Sequence, residues 1–81
     1  MIKYLQTSLI VKRELNRVAA VTGNRIDDYL YDIAEQAEND WTDDGYADLE
    51  AIASEIEGEA DKYIDFVREN YPEQIREETR K

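Results

Sequence analysis

Between residues 26 and 61 the chain carries fourteen Asp and Glu side chains and no Lys, Arg or His. Carboxylates at that density can hold a hard cation, exchange protons, or present fixed negative charge to a positive partner. Spacing separates these. Counted from Asp40, the residues Thr42, Asp44, Gly45 and Asp48 fall at positions 3, 5, 6 and 9 of a twelve-residue calcium loop. The closing bidentate Glu belongs at position 12, where the chain has Ala51, and Glu50 falls one residue short. The segment reads as a degenerate calcium-binding helix–loop–helix or as an acidic turn that caps a helix, and no metal is expected. Asp43 and Asp44 could do acid–base work only in a pocket that shifts their pKa values. With no His, no Cys and no Gly-rich phosphate loop, the chain is not read as an enzyme, and no cofactor is implied.

That leaves fixed charge, and the charge is unevenly placed. Residues 1–25 hold five basic residues and one acid; residues 62–81 hold five of each; the net charge is −10. Like charges confined to one region repel and favour unfolding. Such a block keeps a protein soluble, keeps a segment disordered, or faces something positive. Disordered chains are poor in aromatic and branched apolar residues. Six Tyr, one Trp, one Phe and regularly spaced Ile, Leu and Val predict a folded chain of one domain, 1–81.

The elements that must position the carboxylates follow from a periodicity near 3.6 with only three Gly and one Pro. The fold class expected is all-α, a small three-helix bundle with helices about 3–22, 25–41 and 46–71 and a short C-terminal helix or tail after Pro72. In the first helix Tyr4, Ser8, Val11, Leu15, Val18 and Thr22 form the core stripe, and Gly23 is a left-handed C-cap. Frequent β-branched residues leave a strand open as an alternative for residues 1–11. Asn24 is the expected N-cap of the second helix, which turns Ile26, Tyr29, Leu30, Ile33, Ala34, Ala37 and Trp41 inward and Asp27, Asp28, Asp32, Glu35 and Glu38 outward. The turn 42–45 leads to a long third helix whose stripe is Tyr46, Leu49, Ala53, Ile56, Ala60, Tyr63, Val67 and Tyr71, with Ile52 and Ile64 at its edges. Gly58 faces outward, so that helix should run unbroken through it. Pro72 can open the last helix, from Glu73 to about Thr79.

Two antiparallel helices of about 18 residues are ~27 Å long. Duplex DNA of that length carries about 16 phosphate charges, close to the fourteen carboxylates here. A rigid surface of that density could take the place of nucleic acid in a basic groove. In size, acidity, lack of Cys and His, and the block from Asp27 to Asp61, the chain resembles the small acidic helical inhibitors of phages and mobile elements, the DNA-mimic, anti-restriction and anti-CRISPR class. The resemblance implies inhibition of a basic nucleic-acid-binding protein. These proteins share no motif, so it assigns no residue. The partner-binding residues expected from the charge pattern are Asp27, Asp28, Asp32, Glu35 and Glu38 on the second helix and Asp48, Glu55, Glu57, Glu59 and Asp61 on the third, with Tyr31 as an aromatic anchor within the acidic arc. Phe66 lies off the core stripe, either in that face or under the C-terminal tail. Against this stands a plain solvated face, since acidic surface helices are common and aid solubility.

Ile2, Leu5 and Leu9 form a second apolar patch, a site for self-association as a homodimer or for an adaptor function. Lys12, Arg13, Arg17 and Arg25 are expected to neutralise part of the acidic block within the fold or across a dimer. The net charge argues against direct binding of nucleic acid or an anionic membrane. Met1 to Val11 lacks a cleavage site, no stretch is long enough to span a membrane, and a cytoplasmic location is expected.

Overall fold

The computed structural model describes residues 2–76. Three helices, α1 (Leu5–Thr22), α2 (Asp27–Asp40) and α3 (Leu49–Asn70), pack each against the other two. The protein is a small all-α bundle, and a 3₁₀ turn, Pro72–Gln74, follows α3. Ion pairs fix the directions. Arg13 reaches Glu57 and Arg17 reaches Asp61, so α1 and α3 run parallel, four residues in step with four. Helix α2 returns between them.

Each helix contributes an apolar stripe of period 3.6. Val11, Leu15 and Val18 of α1 meet Leu30, Ala34 and Ala37 of α2 and Ile52, Ile56, Ala60 and Ile64 of α3, and Val67 is buried farther along α3. Ala34, Ala37 and Ala60 are wholly buried, and their small side chains let the helices approach closely. The molecule is flat, 45 × 24 × 16 Å. Few positions can therefore be buried from all sides.

That flatness accounts for the differences from the expected stripes. Ile52 and Ile64 are central to the α3 face, whereas Tyr46, Leu49 and Tyr71 are exposed. On α2, Tyr29 and Trp41 are exposed as well. Residues 5–11 are helical, which removes the strand alternative there. Tyr4 is the N-cap of α1 and Leu5 its first residue. Gly23 takes the left-handed C-cap as expected, with φ 76° and its N–H on the Ala19 carbonyl at 2.8 Å. Asn24 does not cap α2. Ile26 precedes that helix without a side-chain cap, and Asn24 Nδ2 instead donates to Gln74 Oε1 at 2.8 Å, tying the first connection to the C-terminal turn. The Arg76 backbone N–H donates to the Val21 carbonyl beside it. Residues 77–79 of the expected last helix lie outside the described residues.

The connection between α2 and α3 is a miniature β-hairpin, β1 (Thr42–Asp43) and β2 (Tyr46–Ala47), with Thr42 opposite Ala47 and Asp43 opposite Tyr46. Asp44 (φ 51°) and Gly45 (φ 83°) form the two-residue loop. Positive φ at both positions is what a type I′ hairpin turn requires, and Asp-Gly is a favoured pair for it. The hairpin moves the start of α3 from 46 to Leu49, where the Asp48 carboxylate accepts the Ala51 N–H at 3.1 Å.

Helix α3 runs unbroken through Gly58, and no atom lies within 4 Å of where a Cβ would stand there. Gly58→Ala is therefore expected to stabilise the protein by about 0.5–1 kcal/mol, because alanine has less backbone freedom to lose. Urea denaturation checks this. A loss of stability would contradict the unstrained helix described here.

Candidate interaction surface

The acidic block divides into carboxylates that the fold uses and carboxylates that it leaves outward. Glu38 belongs to the first group. The helical period places it on the outer arc, but it is 3% exposed. Its Oε1 accepts the Lys3 N–H at 2.7 Å and its Oε2 the Tyr4 N–H at 3.0 Å. The Tyr4 N–H is one of the unpaired donors at the start of α1, and the Lys3 N–H lies one residue before it. A carboxylate near the C-terminus of its own helix is unfavourable; at the N-terminus of another it is stabilising. Burial alone pushes the Glu38 carboxyl up. The Lys3 N–H, the Thr7 hydroxyl, the Tyr4 N–H and the Lys3 charge outweigh it and hold the pKa below its ordinary value. The Thr7 hydroxyl acts by proximity, since it is fully buried without reaching hydrogen-bond geometry.

Glu14 is the second buried carboxylate, also 3% exposed. It takes Arg13 Nε at 3.1 Å and Arg17 Nη2 at 2.5 Å. The same guanidinium groups reach across to α3, Arg13 to Glu57 at 2.5 Å and Arg17 to Asp61 at 2.8 Å. Burial by itself lowers the Arg17 pKa, yet Glu14 and Asp61 outweigh it and hold it above its ordinary value. The basic residues of α1 thus neutralise acidic residues of α3 inside one molecule.

Most of the expected α3 site is engaged in this way. Glu55 accepts Trp41 Nε1 at 3.1 Å, Asp48 caps α3, and Glu59 accepts the Tyr29 hydroxyl at 2.5 Å and Lys62 Nζ at 3.3 Å. The Tyr29 bond is the main cause that lowers the Glu59 pKa and raises that of Tyr29. Asp27 pairs with Arg25 at 3.1 Å. Glu38, Glu55, Glu57, Glu59, Asp61, Asp48 and Asp27 are therefore tied into the fold, and the fourteen-charge surface with duplex-like density contracts.

What remains outward lies on α2, on the hairpin and in the first turn of α3. Asp28, Asp32, Asp43, Asp44 and Glu50 are exposed and take no hydrogen bond or ion pair among the described residues. Tyr31 is exposed and lines a shallow groove with Ile2, Ser8, Asp32 and Glu35. Among the described residues no group of three or more acids converges as a metal cage. Thr42, Asp44 and Gly45 of the calcium-loop pattern are strand and turn, and Asp48 turns to a backbone N–H. Trp41 and Tyr46, expected in the core, stand at this acidic end; Tyr46 is 82% exposed. The Asp44-Gly45 pair was the clue to them, since a hairpin there takes both aromatics out of helical phase.

The apolar patch is smaller than its sequence suggests. Ile2 packs against the core, while Leu5 (72% exposed) and Leu9 (55%) stay outward. Phe66 is exposed, in edge-to-face contact with Tyr71 at 6.3 Å, and borders a groove with Ile26, Tyr29 and Tyr63 rather than the acidic face. No described helix is long and apolar enough to cross a membrane. No protein-family profile matches this chain, and neither a curated protein nor a solved structure is significantly similar to it.

Glu38→Gln is expected to destabilise the protein by about 1–3 kcal/mol at pH 7, because the amide NH₂ then faces one backbone N–H. The folded pKa is depressed, so the charge contribution of Glu38 is complete above the unfolded value of about 4.3 and disappears as pH falls through the folded value. The stability gap between the two proteins should stay constant from about pH 7 to 5 and close below about pH 4. Urea denaturation across that range measures it, and a gap independent of pH would assign Glu38 a role of shape alone.

Proposed function

We propose that the protein is a small acidic binding protein that inhibits a basic nucleic-acid-binding protein or complex, in the manner of anti-restriction or anti-CRISPR inhibitors. It does so by occupying the partner's phosphate-binding groove with α2 and the hairpin. The observation that carries this reading is the row Asp28, Asp32 and Glu35 on the outer side of a helix that contains no Lys or Arg. Seven residues of α-helix rise about 10 Å. One strand of DNA carries about three phosphates in that distance, and the row carries three carboxylates. The likeness is to a single strand over a short stretch, since Glu57, Glu59 and Asp61 of α3 are paired with cations. Displacement of counterions from the partner's Arg and Lys then supplies affinity, and salt weakens it.

The exposed pair Leu5 and Leu9 favours a second reading, a helical adaptor that docks or dimerises through α1. Salt separates the two. Immobilised protein should retain basic proteins from bacterial lysate at about 50 mM salt, release them at about 500 mM, and release them to competing duplex DNA. Joint exchange of Asp28 and Asp32 to Asn and Glu35 to Gln should weaken binding about tenfold or more, as the loss of three surface ion pairs with the partner permits. Affinity should fall by far more than stability does. Retention that ignores salt and this triple exchange but fails in Leu5→Lys/Leu9→Lys would overturn the first reading in favour of the second.

A further inference from the structure

The hairpin carries a more specific surface than the α2 row. Asp43 and Tyr46 face each other in the antiparallel ladder, so their side chains share one face. The Asp48 N–H donates to the Trp41 carbonyl at 2.8 Å, which continues the pairing one step outward. Thr42 and Ala47 take the opposite face, half-buried, with Ala47 against the core. An open cleft of about 520 Å³ beside the hairpin is lined by both aromatic rings and by Asp40, Asp43, Asp44 and Asp48. Trp41 is 45% exposed, and its indole N–H is fixed to Glu55, which sets the ring orientation before anything binds. Exposed aromatics of this size are commonly interface anchors. Nothing apolar in the described structure covers these two, and the carboxylates around them exclude an apolar or acidic occupant.

We infer that the hairpin face is a receptor for an arginine side chain of the basic partner, with the guanidinium against Trp41 and Tyr46 and its N–H groups directed to Asp43. This rests on the proposed inhibition of a basic partner and names the group it grips. Cβ atoms on the diagonal of a strand pair lie roughly 7–8 Å apart, which brings both rings within reach of one planar cation. Arginine fits better than lysine because its flat, weakly hydrated guanidinium stacks on rings and donates to a carboxylate at once. Asp43 has no partner among the described residues, so no internal bond is broken on binding.

Trp41 is the only tryptophan, so its emission reports on this face directly. The test titrates the full chain with hexa-arginine and hexa-lysine peptides at low salt. Hexa-arginine is expected to change Trp41 emission and to bind more tightly than hexa-lysine. Tyr46→Ala should weaken hexa-arginine binding about two- to fivefold and hexa-lysine binding less, while Tyr46→Phe keeps the preference. Folding should survive, since Tyr46 is nearly fully exposed. Equal affinities, an unchanged emission, absence of binding, or indifference to Tyr46→Ala would each overturn the inference. The joint exchange of Asp28, Asp32 and Glu35 separates it from the reading it rests on. If that exchange abolishes capture of basic proteins and Tyr46→Ala leaves it intact, the hairpin receptor fails and the inhibitor reading stands. If only Tyr46→Ala weakens capture, the α2 row fails and the receptor stands.

Discussion

A carboxylate buried to 3% exposure must be given hydrogen-bond donors or be protonated, and the bundle is organised around supplying them to Glu38. The donors come from the start of α1, which has no side-chain cap of its own. One contact therefore solves two problems. The orphan N–H groups of α1 gain an acceptor, and a carboxylate at the wrong end of α2 gains the positive end of another helix. The same contact fixes where α1 begins and how α2 lies beside it. Glu14 does the complementary work at the other interface. By taking one edge of Arg13 and of Arg17, it aims both guanidinium groups at α3. Two buried acids thus join α1 to each of its neighbours.

This arrangement sorts the charge of the molecule. Helix α1 supplies its cations to α3 and its N-terminal donors to α2, so it neutralises Glu57 and Asp61 and absorbs Glu38. On the outer side of α2, Asp27 pairs with Arg25, while Asp28 and Asp32 stay exposed. Repulsion among Asp28, Asp32 and the hairpin acids is not relieved by any described neighbour. In a domain of 81 residues, where net stability is a few kcal/mol, that is a considerable concession.

How much of this was legible in the sequence depends on which force decided each position. The helices and most of the core were legible because apolar periodicity is local: Val11, Leu15, Val18, Leu30, Ala34, Ala37, Ile56, Ala60 and Val67 are buried where the period places them. The Gly23 cap was legible because only backbone sterics matter there. Glu38 was not, since polarity puts it outside and only the arrival of α1, 34 residues away in sequence, puts it inside. Asn24 was misread because α2 begins at Asp27, which puts Ile26 in the cap position, and the Asn24 amide donates to Gln74 across 50 residues. Trp41 was drawn into the α2 stripe because it lies four residues from Ala37, and Tyr46 into the α3 stripe because it lies three from Leu49, itself exposed. The turn chemistry of Asp44-Gly45 overrode that phase. The acidic surface was legible as a quantity but not as a place, because ion pairs between helices do not follow from composition.

The contrast between α2 and α3 bears most on why the outward acids persist. On α3 the chain pairs Lys62 with Glu59 and Arg68 with Asp65, each three residues apart on the helix surface. Such pairs stabilise a helix by a few tenths of a kcal/mol and also offset its negative charge. Helix α2 has the same opportunities. Gln36 and Asn39 are exposed, and Gln36 lies four residues from Asp32. Lysine at either position would relieve the charge at no cost to the core, yet both side chains are uncharged and the helix contains no cation. Solubility alone does not require that, since α3 is solvated while carrying both signs. On α2 the exposed Asp28 and Asp32 therefore keep their charge, while α3 offsets part of its own with pairs along the helix.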